Sequence, residues 1–370
     1  MSVVTKTGRA QREKLSNSLL LFLIAIAFFI LLYGCGLIFL GDKGFLDDAG
    51  CFKWKNLFDI FNEYSALMIV TLGLTIVMIT GGIDISVAGV VALADMACVK
   101  YLNAGGSVAV AVLICLGIGL GFGLVHGYLV AYLKIQPFIV TMAGMFFGRG
   151  MAAVIDSAGA NIDPARAPAF AKLMNGRINV PFLTDEIIKR KKSLFVSVEI
   201  EWGVVISISL LILVALMLKY TRYGRKLYAV GGNQQSALML GCNVQRTKFF
   251  AYVISSLLAG IAAFVYLMHV GKGKDTLQSG MEMKAIASAI IGGTMLSGGV
   301  GNVVGSFFGV LIMGTIDKIV TYSGITNDAP YLQTIFNGFM LCFFIVLQSV
   351  IVLFRGKKSK KPEDPAVLKK

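Results

Sequence analysis

The sequence predicts an all-α, polytopic membrane protein of about ten transmembrane helices with both termini in the cytoplasm. Three observations carry this. Of its 370 residues 56% are hydrophobic and 15% charged, and the mean hydropathy of +0.79 lies outside the soluble range. Apolar runs such as "LLLFLIAIAFFILLYGCGLIFL" from Leu19 reach the ~20 helical residues that a hydrocarbon core of ~30 Å requires, which points to helices and not barrel strands. The net charge of +14 gathers at the chain ends and in one internal loop, the distribution of the positive-inside rule and not of a nucleic-acid surface.

Hydropathy places spans near 18–40, 66–82, 86–102, 107–133, 137–155, 202–219, 249–270, 284–297, 301–323 and 331–354. The first run is longer than a signal-peptide core and lacks a small-x-small cleavage site, so it reads as a retained span. Lys6, Arg9, Arg12 and Lys14 in a 1–17 tail, and "RGKKSKK" in a 355–370 tail, put both ends in the cytoplasm around an 18–354 membrane domain. Counting inward, the loop 220–248 is also cytoplasmic and carries Arg222, Arg225, Lys226, Arg246 and Lys248. The segment 156–201, with Pro164, Pro168 and Pro181, falls outside as an ordered loop, although "KRKK" at Lys189 to Lys192 runs against the charge rule.

Several chemistries are unsupported. There is no GxxxxGK[ST], no HExxH and no nucleophile elbow, so no catalytic residue, cofactor or metal site is expected. His126 and His269 are isolated, and Cys35, Cys98, Cys115 and Cys342 sit in apolar runs without a CxxC pair, reading as small packing residues. Gly119, Gly123 and Gly127, four residues apart, form one smooth helix face for close packing.

The cytoplasmic loop "TRYGRKLYAVGGNQQSALMLGCNVQRTK" is long for a connection and predicts a short helix from Gln234 to Leu240. Asn233 is suited to its N-cap and Gly241 to its C′ position, and Ala237 lies on it. It is either a surface elaboration or a docking element for a soluble partner.

In "ITGGIDISVAG" Asp84 is either the N-cap of a helix starting at Ile85 or a carboxylate in a substrate path or gate. Asp95, three turns on along the same helix face, is either neutralised by Lys100 or lines that path. Lys134, Gln136 and Pro137 mark a turn, with Pro137 in the first turn of the next helix; Thr141 inside that helix is a candidate for the substrate path or gate, as are Glu282 and Lys284 further on, and Arg149 at its far end is either an interfacial or bundle-facing charge or a ligand. "TGGIDISVAG" and "IGGTMLSGGVG" share Gly-Gly-x-x-x-Ser, ending at Ser86 and Ser297 with Thr294 between, and such glycine-broken segments in two halves point to a transporter's site.

"GGIDIS", "LKIQPFIVTMAGMFFGRG", "RYGRKLYAVGGNQQSALMLGCNV" and "AIASAIIGGTMLSGGVGNVVGSFFG" resemble, in order from about Asn62 to Gln348, the permease subunits of bacterial sugar ABC importers of the ribose, galactose and galactofuranose type. The resemblance implies a ten-helix inner-membrane permease that pairs with a second copy or a paralogue, a cytoplasmic ATPase and an extracytoplasmic sugar-binding protein. It implies that Gly231, Gly232, Asn233, Ala237, Gly241 and Asn243 belong to the segment that docks in the ATPase. Two positions depart from the family pattern. Lys284 stands two residues after Glu282 where an acid is usual, so it reflects a different substrate or pairs locally with Glu282; His126 stands where asparagine is common. The segment around "KRKK" is also longer than usual. The competing readings are an ion-coupled secondary transporter working through Asp84 and Asp95, a membrane scaffold, and an ABC permease for nucleosides or branched-chain amino acids.

Overall fold

Helix follows helix along most of the chain because apolar residues fill every side of each run, as lipid and protein together demand. The computed structural model describes residues 22–41, 45–46, 52–189, 192–276, 278–323 and positions 335, 338, 339, 342, 343 and 346, with backbone alone over 180–189 and 192–197. In order the elements are α1 (Phe22–Leu40), α2 (Trp54–Ile79), α3 (Val87–Asn103), α4 (Val108–Ala131), α5 (Pro137–Ile155), β1 (Ala160–Asn161), α6 (Pro168–Met174), β2 (Arg177–Lys189) and β3 (Lys192–Glu201). They continue with α7 (Trp202–Tyr220), α8 (Arg222–Gly232), α9 (Gln234–Met239), α10 (Val244–Val270), β4 (Lys272–Gly273), α11 (Met281–Ile291) and α12 (Val303–Tyr322).

Among the described residues seven helices are long and apolar enough to cross a membrane: α1, α2, α4, α5, α7, α10 and α12. The expected spans at 86–102 and 284–297 are shorter helices: α3 has 17 residues and α11 has 11, about 16 Å at 1.5 Å per residue. The tails and most of the expected span at 331–354 lie outside the described residues.

Burial sorts these helices into an inner and an outer set. The most apolar window of α2 is 89% buried and those of α10 and α12 are 72%, whereas α1, α4, α5 and α7 reach only 17–28%. The outer helices turn large apolar side chains outward, among them Leu113, Val125, Phe146, Phe147 and Leu213, as a lipid-facing ring does.

The expectation of a purely helical chain and of a loop over 156–201 is corrected by an antiparallel hairpin of β2 and β3, pairing Arg177 with Glu201 and Lys189 with Lys192. A second, two-residue pairing joins β1 to β4. The hairpin base is fixed by Asn62 of α2, whose Nδ2 donates to Glu199 O at 3.1 Å and whose Oδ1 accepts from Glu201 N at 3.0 Å. His269 at the end of α10 lies 2.7 Å from Glu201. This explains why α2 starts at Trp54 and not at 66: its first three turns are polar enough to escape a hydropathy window, yet Asn56 and Asn62 are buried by specific partners.

The two ends of the bundle are therefore distinct. The hairpin, the β1–β4 pairing and the Lys100–Asp156 ion pair at 2.5 Å gather at one end. The segment α8–α9 lies at the other, with the start of α3, the end of α2 and the start of α12.

Candidate functional site

The first break in the bundle follows α2. Gly81 at φ 80° closes the helix by donating to Met78 O at 2.9 Å, and Gly82 N donates to Val77 O at 3.2 Å, the left-handed stop that glycine allows. The chain then runs extended to α3, which begins at Val87 with Ser86 as its N-cap, two residues later than expected. Asp84 is accordingly not the cap of that helix. It is fully buried and its Oδ1 accepts from Ser86 N at 3.1 Å and Ser86 Oγ at 2.5 Å, while Oδ2 accepts from Ser255 Oγ of α10 at 2.8 Å. His126 Nδ1 of α4 lies 3.2 Å from Ser86 Oγ, and Tyr252 OH donates to Ile83 O at 3.3 Å. The carboxylate thus ties the start of α3 to α10, and His126 of α4 joins the cluster through Ser86, since a buried carboxylate persists only where donors converge on it.

The second break follows α11. Gly293 at φ 91° stops that helix and donates to Ile290 O at 2.9 Å, so the two Gly-Gly segments use the same left-handed stop. The echo ends there: Ser86 starts a helix, whereas Ser297 is exposed in a loop and Asn302 caps α12, accepting from Val304 N at 3.0 Å. Thr294 is buried with its Oγ1 3.4 Å from Ser306 Oγ, which in turn lies 2.8 Å from Thr75 Oγ1 of α2.

The 220–248 loop is two helices and not one. Thr221 caps α8, accepting from Gly224 N at 3.1 Å, and Gly231 and Gly232 are its last residues. Asn233 caps α9, its Oδ1 accepting from Ser236 N at 3.0 Å, and Gly241 at φ 77° turns the chain to Asn243, which caps α10 by accepting from Arg246 N at 2.9 Å. Val230, Ala237 and Val244 make a small core that binds α8, α9 and α10 together. Leu238, Met239 and Leu240 point away from it, 58%, 89% and 81% exposed. The helix α8 escaped the sequence reading because its amphipathic turn "RYGRKLY" ends in two glycines that look like a loop.

The two breaks and the 220–248 segment meet. Gly299 N donates to Ile79 O at 2.8 Å, joining the second break to the end of α2. Gly231 packs against that same carbonyl and against Gly299 N, so closely that no Cβ fits. A Cβ on Gly298 would lie 2.8 Å from Gly81 N and 3.1 Å from Gly231 O. Tyr228 OH of α8 donates to Gly301 O at 3.0 Å.

Deeper in the bundle the charged residues pair across helices. Arg149 of α5 lies 3.2 Å from Glu282 of α11. Lys284 pairs not with Glu282 but with Asp317 of α12 at 2.8 Å, where Tyr64 OH also donates. Lys100 pairs with Asp156, not with Asp95; Asp95 is instead bonded by Gln278 Nε2. Thr141 is buried and its hydroxyl donates to Pro137 O of its own helix at 2.8 Å. Asp317 and Gln278 were not among the expected site residues, although Asp317 carries the signal of an intramembrane acid. Nothing in the sequence singles out Gln278.

The glycine stripe lies along α10: Cβ atoms on Gly123 and Gly127 would come within 2.8 Å of Val253 Cα and 2.9 Å of Phe249 O, and one on Gly119 would strike Ser256 O. Cys98 and Cys115 are buried free thiols between α3 and α4, whereas Cys35 and Cys342 are exposed.

The chain is similar to the fructose import permease protein FruG of Bifidobacterium longum, 32% identical over 299 residues that cover 81% of this chain and 84% of that protein. It is 29% identical to the ribose import permease protein RbsC of Escherichia coli over 303 residues, 80% of this chain and 87% of that one. With the autoinducer 2 import system permease protein LsrC of Yersinia enterocolitica it shares 30% identity over 273 residues, 74% and 70% of the two chains. The model of the family described as "Branched-chain amino acid transport system / permease component" matches residues 56–345, so the broken helices and the 220–248 segment all lie within the match and the chain belongs to that family of membrane permeases.

Proposed function

We propose that this chain is the membrane-spanning subunit of an ATP-driven importer and carries a monosaccharide, a pentose, a hexose or a galactofuranose-like sugar, across the inner membrane. Three named relatives support the solute class, importing fructose, ribose and autoinducer 2. ATP hydrolysis belongs to a partner subunit, delivery to an extracytoplasmic binding protein, and the passage to a pair with a second copy or a paralogue. The proposed orientation has ten spans, both termini and α8–α9 in the cytoplasm, and the hairpin outside.

One observation carries the mechanism: the backbone of Gly231 sits directly on the carbonyl of Ile79 and the amide of Gly299. A partner gripping the exposed Leu238 and Met239 of α9 and Leu240 just after it would move α8 through the Val230–Ala237–Val244 core. Because Gly231 has no side chain to absorb the shift, α8 passes it to both helix breaks. ATP-driven closure of two partner subunits would thereby reorient the broken helices α2–α3 and α11–α12, which is alternating access around a midplane path.

The test is reconstitution in liposomes with the ATPase and binding protein encoded beside it, using labelled fructose, ribose and galactose. Uptake that requires ATP and the binding protein is expected. Equal flux without ATP, driven by a proton or sodium gradient, overturns the assignment.

A further inference from the structure

Between Asp95 and Asp156, and again between Glu201 and Asp275, the chain carries no Asp or Glu. The helices α4, α8, α9 and the start of α10 therefore bring only basic charge to their shared end of the bundle, Lys134 after α4 and Arg246 in the first turn of α10 among it. Asp84, in the first break, is buried and already bonded by Ser86 and Ser255. The positive charge at this end has no counterpart within the bundle.

Lys134 and Arg246 flank one aromatic ledge. The end of α4 meets the start of α10 where Gly127 packs on Phe249. From there the rings run in series: Tyr128 stacks on Tyr132 at 5.8 Å, Tyr132 meets Phe249 at 5.9 Å, and Phe249 meets Phe250 at 5.4 Å. Tyr128, Tyr132 and Phe250 are 52%, 39% and 50% exposed. Lys134 follows Tyr132 by two residues, and Arg246 lies three and four residues before Phe249 and Phe250, on their face of α10. Both cations are exposed, and neither makes an ion pair among the described residues.

Depth in the membrane selects the partner. With 24 residues, α4 is about 36 Å long, against a hydrocarbon core of ~30 Å, so its last turn emerges among headgroups. Amphipathic tyrosine rings belong at that level, and a cation just beyond them meets phosphate. Lys134 also has φ 57°, the only non-glycine residue with positive φ among those described. Glycine or asparagine would relieve that strain, so a lysine at this turn is kept at a conformational cost.

We propose that Lys134 and Arg246, with the ledge of Tyr128, Tyr132, Phe249 and Phe250, form a site for the headgroup of an anionic phospholipid, in the cytoplasmic leaflet under the orientation proposed above. The two cations take the phosphate and the exposed rings lie against the glycerol and upper acyl chain; basic pockets between transmembrane helices on that side hold such headgroups. The exposed apolar rings at the same depth favour a lipid over a soluble acidic protein. The site depends on the membrane and on no particular solute.

The test uses the full purified chain, stripped of lipid in a neutral detergent, with bound lipid counted by native mass spectrometry from an equimolar mixture of phosphatidylglycerol and phosphatidylcholine. Wild type is expected to favour phosphatidylglycerol by about 25-fold, from about fivefold per basic residue. Lys134→Gln/Arg246→Gln should lose most of that preference and Lys134→Arg/Arg246→Lys should keep it. Arg222→Gln/Lys226→Gln, which removes the same charge from the exposed face of α8, should leave it unchanged. In a second measurement, on wild type alone, phosphatidylglycerol with a photoactivatable group just below the headgroup should label residues 128–134 and 246–250. Equal retention of the two lipids by wild type overturns the proposal, as does label confined to other segments, which is the result expected if a second copy covers this face. Equal loss in the two glutamine pairs shows diffuse surface charge and overturns the site. Excess inorganic phosphate that strips phosphatidylglycerol as completely as Lys134→Gln/Arg246→Gln shows a site for a free anion and overturns it too.

Discussion

Gly231 rests on the carbonyl of Ile79, the residue at which α2 ends, with no room for a Cβ between them. That contact links the last turn of a cytoplasm-facing helix, in the proposed orientation, to the first break of the bundle. Overpacking a site of this kind costs about 1–3 kcal/mol. Gly231→Ala is therefore expected to weaken ATP-dependent uptake roughly tenfold, whereas Gly232→Ala, whose Cβ would enter open space, should transport normally. Uptake by the two variants in parallel decides this; equal activity would show that the junction transmits nothing.

Asn233 holds the first turn of α9 through Ser236 N. Loss of an N-cap costs about 1 kcal/mol, which a six-residue helix cannot absorb. Asn233→Ala should raise amide exchange over residues 234–239 and reduce co-purification with the ATPase, and Asn233→Ser should restore both. Exchange that is unchanged in the alanine variant would remove the cap from the account.

Lys284 and Asp317 tie α11 to α12. Removing one partner leaves a buried charge, at about 3–5 kcal/mol for a fully buried pair, and Lys284→Met is expected at the low end because the lysine is 30% exposed. Lys284→Met/Asp317→Leu should recover most of the loss in a detergent melting experiment. A double variant no more stable than the single one would show that the lysine acts elsewhere.

Asp84 accepts from Ser86 N, Ser86 Oγ and Ser255 Oγ. Asparagine keeps the first two acceptor positions, and its amide donates to Ser255 once that hydroxyl turns. Asp84→Asn is expected to fold and assemble, and Asp84→Leu to fail, because the leucine strands three buried donors at about 1–3 kcal/mol each. Transport by Asp84→Asn then reports the charge alone, and full activity would make the cluster a structural clamp.

Asp156 lies beyond the end of α5, where the hydrogen bond from Lys100 holds its carboxyl below the ordinary value of 3.8. A depressed carboxylate contributes at every pH above that ordinary value and loses its contribution as pH falls through the lower, folded one. Crosslinking between positions 103 and 161, which are joined by Asn103 Nδ2 donating to Asn161 O at 2.8 Å, should be constant from neutral pH to about pH 4 and fall only below that. A loss near pH 6 would implicate a histidine instead.

How far the sequence could be read depended on which physical signal each element carries. Spans whose whole length is apolar, such as α5 at Pro137–Ile155, were bounded to the residue because Pro137 and the onset of polarity at Asp156 both mark an edge. Those that begin among polar residues were cut short: α2 opens with "WKNLFDIFNEYS", whose asparagines are buried by the hairpin and by Tyr322, partners far away in sequence. The hairpin itself carried a period-two alternation, Val198 and Ile200 against Glu199 and Glu201, that the expectation of a prolyl loop obscured. The charged residues were legible one by one and their pairing was not. Glu282 and Lys284 stand two apart and point to different helices, as residues two apart on a helix must.

At the centre of the bundle's α8–α9 end, glycines 81, 231, 298 and 299 meet through main chain alone. Main-chain contacts have no side-chain identity to match, so under the proposed coupling this joint would not register which partner moves it. The outward residues of α9 could then be retailored for another partner while the joint beneath them keeps its geometry.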